Sequence, residues 1–273
     1  MSDIITIATQ KGGTGKTTTA GALGAALTRK GWRVLMVDMD PQANLTFTMR
    51  AQDQTHGTYE VLTGKMPAAD AICTGPGQAG KPSRTKEKPG DMPDRKIIPA
   101  STALSGADLE LTAIGKEFRL QEALQPLRDD FDYIIIDTPP SLGILTINAL
   151  TAADEVVITA QADAYSLQGI WQLHSTIQAV TRYTNPGLLL KGILITRHNP
   201  RSVLSRDLTG LIEETAQQMQ TFVYQRPIRE GVAVKEAQAS RQDLFSYAPR
   251  NKPAQDYMAF ADELLERRQG DDS

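Results

Sequence analysis

The feature that most limits what this chain can become lies at its start. An apolar, β-branched run, Ile4-Ile5-Thr6-Ile7-Ala8, breaks at once into QKGGTGKTTTA and then into an alanine-rich stretch. A strand that ends in a glycine loop and leads into a helix predicts an α/β topology, with that strand buried in a parallel sheet. Gly12, Gly13 and Gly15 free the backbone to turn its N–H groups inward. Together with the N-terminus of the following helix they make a concave anion site. Lys16 adds a point charge for the β- and γ-phosphates of a nucleotide, and Thr17 places a hydroxyl for Mg²⁺. Thr14 and Thr18 complete the stretch expected to wrap the phosphates.

The rest of the chain repeats the alternation. Lys16 to Lys30 has helical composition, with Leu23 and Leu27 one turn apart and Gly31 as a stop signal. Arg33 to Asp38 and Phe131 to Asp137 are apolar runs ending in aspartate, and Glu155 to Thr159 and Leu188 to Thr196 are further strands. Helical patterns span Ser166 to Tyr183 and Ser202 to Met219, the second with Val203, Leu204, Leu208, Leu211, Ile212 and Met219 on one face. The predicted fold is a mostly parallel, twisted sheet with helices on both faces, in a single P-loop ATPase domain over residues 1–273. Residues 74–96 interrupt the rhythm: rich in proline, glycine and lysine, they are expected to form a flexible insertion.

Composition narrows the functions. The single cysteine, Cys73, excludes an internal disulfide and a paired-thiol metal or redox site. A net charge of −3 excludes a protein coated in positive charge, so any nucleic-acid binding must come from a local basic face. No apolar run approaches the length needed to span a bilayer, and a cytoplasmic location is expected.

The loop is a variant. Gln10 stands where the common phosphate-loop pattern has glycine, and a second lysine, Lys11, precedes the glycines. Two strand ends supply the carboxylates that such a loop needs, since phosphoryl transfer depends on positioning and charge stabilisation. They read Val37-Asp38-Met39-Asp40-Pro41-Gln42 and Ile136-Asp137-Thr138-Pro139-Pro140. With KGGTGKTT, the DxDPQ element and this second strand end, the chain resembles the deviant Walker A ATPases, the family of the ParA partition proteins and MinD.

The resemblance implies roles. Lys11 would reach across an ATP-dependent, face-to-face homodimer to the phosphates held by the other subunit, while Lys16 holds its own. Asp40 would orient the attacking water, Asp137 would hold Mg²⁺ through water, and Asp38 would support the metal's water shell. Within the family, the acidic polar face of the C-terminal helix and the final QGDDS disfavour a MinD-like anionic-lipid anchor. A single cysteine disfavours the iron–sulfur and zinc branches. The ParA-like reading then implies nonspecific double-stranded DNA as one partner and a ParB-like centromere-binding or cargo adaptor protein as another. It implies a nucleoid-associated location and no membrane.

Candidate DNA-contacting cations lie in the C-terminal half: Arg197, Arg201, Arg206, Arg226, Arg229, Lys235, Arg241, Arg250 and Lys252. Ala233 departs from the family pattern, which commonly has arginine there, and Arg229 or Lys235 is expected to compensate. The phosphate loop comes directly after the first few residues, so no operator-reading helix-turn-helix is expected ahead of it.

Overall fold

Runs of β-branched residues hydrogen-bond side by side because both faces of such a strand can be covered by helices. The computed structural model describes residues 1–51, 56–74 and 95–271. In chain order its main elements are β1 (Asp3–Ala8), α1 (Lys16–Arg29), β2 (Val34–Asp38), α2 (Asn44–Thr48), α3 (Thr58–Leu62), β3 (Cys73–Thr74) and β4 (Lys96–Ile98). Next come α4 (Ala107–Glu110), α5 (Arg119–Leu124), β5 (Tyr133–Asp137), α6 (Ile144–Ala152), β6 (Glu155–Gln161) and α7 (Ala164–Tyr183). The chain continues with β7 (Leu189–Thr196), α8 (Val203–Gln218), α9 (Val232–Ala239), α10 (Leu244–Tyr247) and α11 (Lys252–Asp271).

The strands form one sheet in the order β3-β4-β2-β5-β1-β6-β7. Every pairing is parallel except β3 against β4. This is the predicted fold class. Alternation of side chains along each strand divides the core in two. Ile4, Leu35, Ile134, Ile136 and Ile158 face one layer, which holds α5, α6 and α7. Ile5, Ile7, Met36, Ile135 and Val157 face the other, against Leu23 and Leu27 of α1 and Tyr257, Phe260 and Leu264 of α11.

Two sequence expectations change in detail. On α8 only Leu208, Ile212 and Met219 of the expected face are buried, whereas Val203, Leu204 and Leu211 are exposed. The apolar set spans more of the helix circumference than the sheet can cover. The expected insertion begins and ends in an antiparallel ladder, with Thr74 paired to Lys96 and Cys73 to Ile97. Residues 75–94, the body of that expectation, lie outside the described residues. The C-terminal helix packs on the body of the protein as expected, and Tyr257, Phe260, Ala261 and Leu264 are at most 2% exposed.

Candidate active site

Strands β2, β5 and β1 are neighbours and run parallel, so the loops that leave their C-terminal ends meet at one edge of the sheet. Asp38 pairs in register with Asp137, and Asp137 pairs with Ile7 of β1. The phosphate loop therefore stands beside both aspartate strand ends. This adjacency is the place where parallel sheets bind ligands.

Within the loop, Gly13 and Gly15 both adopt φ of 80°. A Cβ at either would be strained, so the motif's glycines are required by the backbone. No protein atom lies within 4 Å of where a Cβ on Gly12 or Gly13 would stand, and the loop faces an open cleft. The loop is braced from behind. Thr14 donates to Thr9 Oγ1 at 3.1 Å, Gln161 Nε2 donates to the Gly13 carbonyl at 2.9 Å, and Thr196 Oγ1 donates to the Thr14 carbonyl at 2.5 Å.

Lys16, 6% exposed, sits among the carboxylates, 2.7 Å from Asp137 Oδ1 and 3.6 Å from Asp40 Oδ2. Burial raises the Asp137 carboxyl above the usual carboxylate range, against the pull of Lys16 and of the Thr17 hydroxyl. Asp137 Oδ2 is buried without a hydrogen-bond partner among the described residues. An unpaired buried carboxylate oxygen beside a threonine hydroxyl and an open glycine loop fits a hydrated Mg²⁺ with a nucleotide.

Asp38 is fully buried, and its oxygens accept from Asp40 N, Thr46 N and Thr46 Oγ1. Burial first, and the neighbouring Asp137 charge second, push it up to about 7. Expected in the metal's water shell, Asp38 here brackets the turn that presents Asp40. Asp40 Oδ1 in turn accepts from Gln42 N at 3.0 Å.

Lys11 does not join Lys16. Its ammonium lies 2.6 Å from Asp163 Oδ2, while Asp163 Oδ1 caps α7 by accepting from Tyr165 N and Ser166 N. Burial opposes ionisation of Asp163, but the Lys11 hydrogen bond and the cap outweigh it and hold the carboxyl below its usual value. Asp163 could have been read as an N-cap, since it immediately precedes the helical stretch; its pairing with Lys11 leaves no sequence signal.

The expected DNA cations divide. Arg197 pairs with Glu230 at 2.9 Å and Arg229 with the buried Asp256 at 2.6 Å, and both arginines line the nucleotide cleft. Arg241 stacks on Phe47, its guanidinium 4.2 Å from the ring centroid. Arg201, Arg206, Arg226, Lys235, Arg250 and Lys252 are exposed. Ala233 is buried in the core, so the exposed cation of α9 is Lys235. Sequence reasoning missed Thr46, Asp163 and Gln238, each of which touches a motif residue through space.

Comparison with known proteins places these features in context. A family model described as an AAA domain matches residues 2–190. The sporulation initiation inhibitor protein Soj of Bacillus subtilis is 38% identical over 97% of this chain and 98% of its own length. The chromosome partitioning protein ParA of Myxococcus xanthus is 37% identical over 97% of this chain and 88% of its own. A crystal structure of cobyrinic acid a,c-diamide synthase from Mycobacterium smegmatis, with a bound ATP analogue and magnesium, superposes with a TM-score of 0.81 at 34% identity. That match covers 98% of this chain and 96% of the other.

Proposed function

The chain belongs to the AAA-domain family of P-loop ATPases, in its ParA-type, deviant Walker A branch, and from that premise we propose that it is an ATP-driven DNA partition switch. It is an ATPase that uses Mg²⁺-ATP. When bound, Mg²⁺ offsets the charge that develops on the phosphates. Thr17 and Asp137 would hold the metal and its waters, with Asp38 behind them. Lys16 is the charge on the phosphates, the loop N–H groups orient them, and Asp40 is the carboxylate that orients the attacking water.

The observation that carries the switch reading is the separation of the two lysines. Lys16 is buried with Asp137 and Asp40, while Lys11 is held at the mouth of the cleft by Asp163. A lysine stationed there has reach toward a second subunit's phosphates, and the ATP state then forms a face-to-face dimer. Exposed cations, Lys235, Arg201, Arg206, Arg250 and Lys252, supply a DNA-binding face in that state. The ATP dimer is therefore nucleoid-associated, and a cargo-bound ParB-like protein stimulates hydrolysis and releases it from the DNA.

Two other readings lead to different outcomes. A MinD-like membrane switch needs a C-terminal helix with a free apolar face, and that face of α11 is buried against α1 and the sheet; no helix among the described residues is long and apolar enough to cross a membrane. A small-molecule ATP-dependent enzyme, the class to which the M. smegmatis protein's name assigns that protein, would turn over steadily and ignore DNA.

The test is binding of a random-sequence duplex to Asp40→Ala with ATP, with ADP and without nucleotide, across salt. Binding with ATP alone is expected, with log affinity falling by about 0.9 per neutralised phosphate for each tenfold rise in salt. No binding in any state would remove DNA as the output and send the search to liposomes and small substrates.

A further inference from the structure

Three helices, α2, α8 and α9, end with a non-glycine residue in the left-handed region, and two of them, α2 and α9, meet through that residue. The C-terminus of α2 is closed by Arg50 N donating to the Phe47 carbonyl and Ala51 N donating to that of Thr46. The C-terminus of α9 is closed by Arg241 N donating to the Gln238 carbonyl and Gln242 N to that of Ala237. Both patterns put one residue in the left-handed region, the position that glycine ordinarily takes. Here it is arginine each time, with φ of 55° at Arg50 and 52° at Arg241. A side chain kept at a backbone position that disfavours it points to a role for the side chain.

Each arginine is used by the other helix. Arg50 donates through Nε to the Arg241 carbonyl at 3.2 Å and through Nη2 to the Ser240 carbonyl at 3.4 Å. Ser240 is the C-cap of α9 and Arg241 follows it, so a guanidinium on these carbonyls satisfies a group the helix leaves unpaired and complements its dipole. Arg241 returns the contact by stacking on Phe47 of α2, 4.2 Å from the ring centroid. The result is a reciprocal clasp between two helices almost two hundred residues apart in the chain.

What the clasp joins gives it meaning. Helix α2 comes directly after the Asp38–Gln42 turn and is fixed to it, because Thr46 donates to Asp38 through both its backbone N–H and its hydroxyl. Helix α9 carries the exposed Lys235 and touches the phosphate-loop helix, Gln238 Nε2 donating to Thr18 Oγ1 at 2.9 Å. Phe47, Lys235 and Gln238 all line the nucleotide cleft. These contacts give a shift of the Asp40 turn a continuous path through α2 to the end of α9.

We propose that the Arg50–Arg241 clasp is the mechanical link by which the state of the nucleotide at the Asp40 turn sets the placement of α9 and its exposed Lys235. Arg50 is a positioning residue in this link: it touches neither the phosphate loop nor the carboxylates around Lys16. The output rests on the DNA reading above, whereas the link itself does not. Coupling of this kind requires a difference in free energy between two placements of α9 that both sites bias.

The decisive variant is Arg50→Gly. Glycine accepts the left-handed backbone, so the turn that ends α2 is retained while both donors are lost. Parent and variant are compared as full chains for ATP affinity, for binding of random-sequence duplex with ATP and with ADP, and for amide hydrogen exchange over residues 232–242 with and without ATP. ATP affinity is expected to stay within about twofold, while the ATP-over-ADP preference in DNA affinity falls by at least about tenfold. Exchange in α9 should respond to ATP in the parent and lose that response in the variant. An undiminished ATP preference in Arg50→Gly overturns the link. Should the parent bind DNA in no nucleotide state, the DNA reading fails and exchange alone decides. ATP-sensitive α9 amides in the parent that become insensitive in the variant uphold the link, and equal behaviour in the two proteins overturns it.

Discussion

Two lysines five residues apart in one loop have opposite surroundings. Lys16 is 6% exposed between Asp137 and Asp40, whereas the Lys11 side chain keeps 36% of its surface and meets Asp163 across 152 residues of chain. The consequences of removing them should therefore differ in kind. Lys16→Ala takes the cation from a buried cluster of carboxylates and is expected to weaken nucleotide binding outright, by roughly 100-fold or more if the lost charged hydrogen bonds are worth about 3 kcal/mol. Lys11→Ala is expected to bind ATP within a few-fold of the parent yet form no ATP-dependent dimer. Nucleotide titration and light scattering read the two effects separately. A Lys11→Ala protein that still dimerises with ATP would remove the trans role of that lysine.

At the scale of elements, small helices are held by single carboxylates that join distant parts of the chain. Asp243 caps α10 by accepting from Phe245 N and Ser246 N, and it also meets Arg29 of α1 at 3.0 Å and Arg95 beside β4 at 3.4 Å. Burial opposes its ionisation, but the Ser246 hydroxyl and the two arginines hold the carboxyl below its unfolded value of 3.8. The unfolded chain then binds more protons than the native one just below that value, so stability rises with pH there. The contribution is present at neutral pH and is lost as pH falls through the folded value. Asp243→Ala should cost roughly 2–4 kcal/mol at pH 7, from the cap and the broken ion pairs together, and less near pH 3, below the unfolded value. Urea unfolding at the two pH values measures it; an equal loss at both would show that the charge contributes nothing.

For the molecule as a whole, the C-terminal helix completes the layer that starts at the phosphate loop. Phe260 of α11 is fully buried and meets Tyr224 edge-on at 4.7 Å, and Tyr257 hydrogen-bonds Thr19 of α1 at 3.2 Å. Phe260→Ala should lower stability by about 3–5 kcal/mol, read as a shift of the urea midpoint. The alternation of apolar runs and helices, the phosphate loop and the two aspartate strand ends are all legible in the linear chain. Their information is carried by residues close in sequence, whether as side-chain period, glycine conformational freedom or a carboxylate just after a strand. The pairing of Lys11 with Asp163, the bracket of Asp38 by Thr46 and the grip of Arg50 on α9 are not legible. Nor is the exposure of Val203, Leu204 and Leu211, apolar residues that the α8 pattern assigns to a buried face. By itself the sequence determined the five longer strands, the helices α1, α7, α8 and α11, and the residues placed at the strand ends. Only the tertiary structure decided which charges meet and which apolar faces are covered, because those depend on how far the finished layers extend and not on any residue's neighbours in the chain.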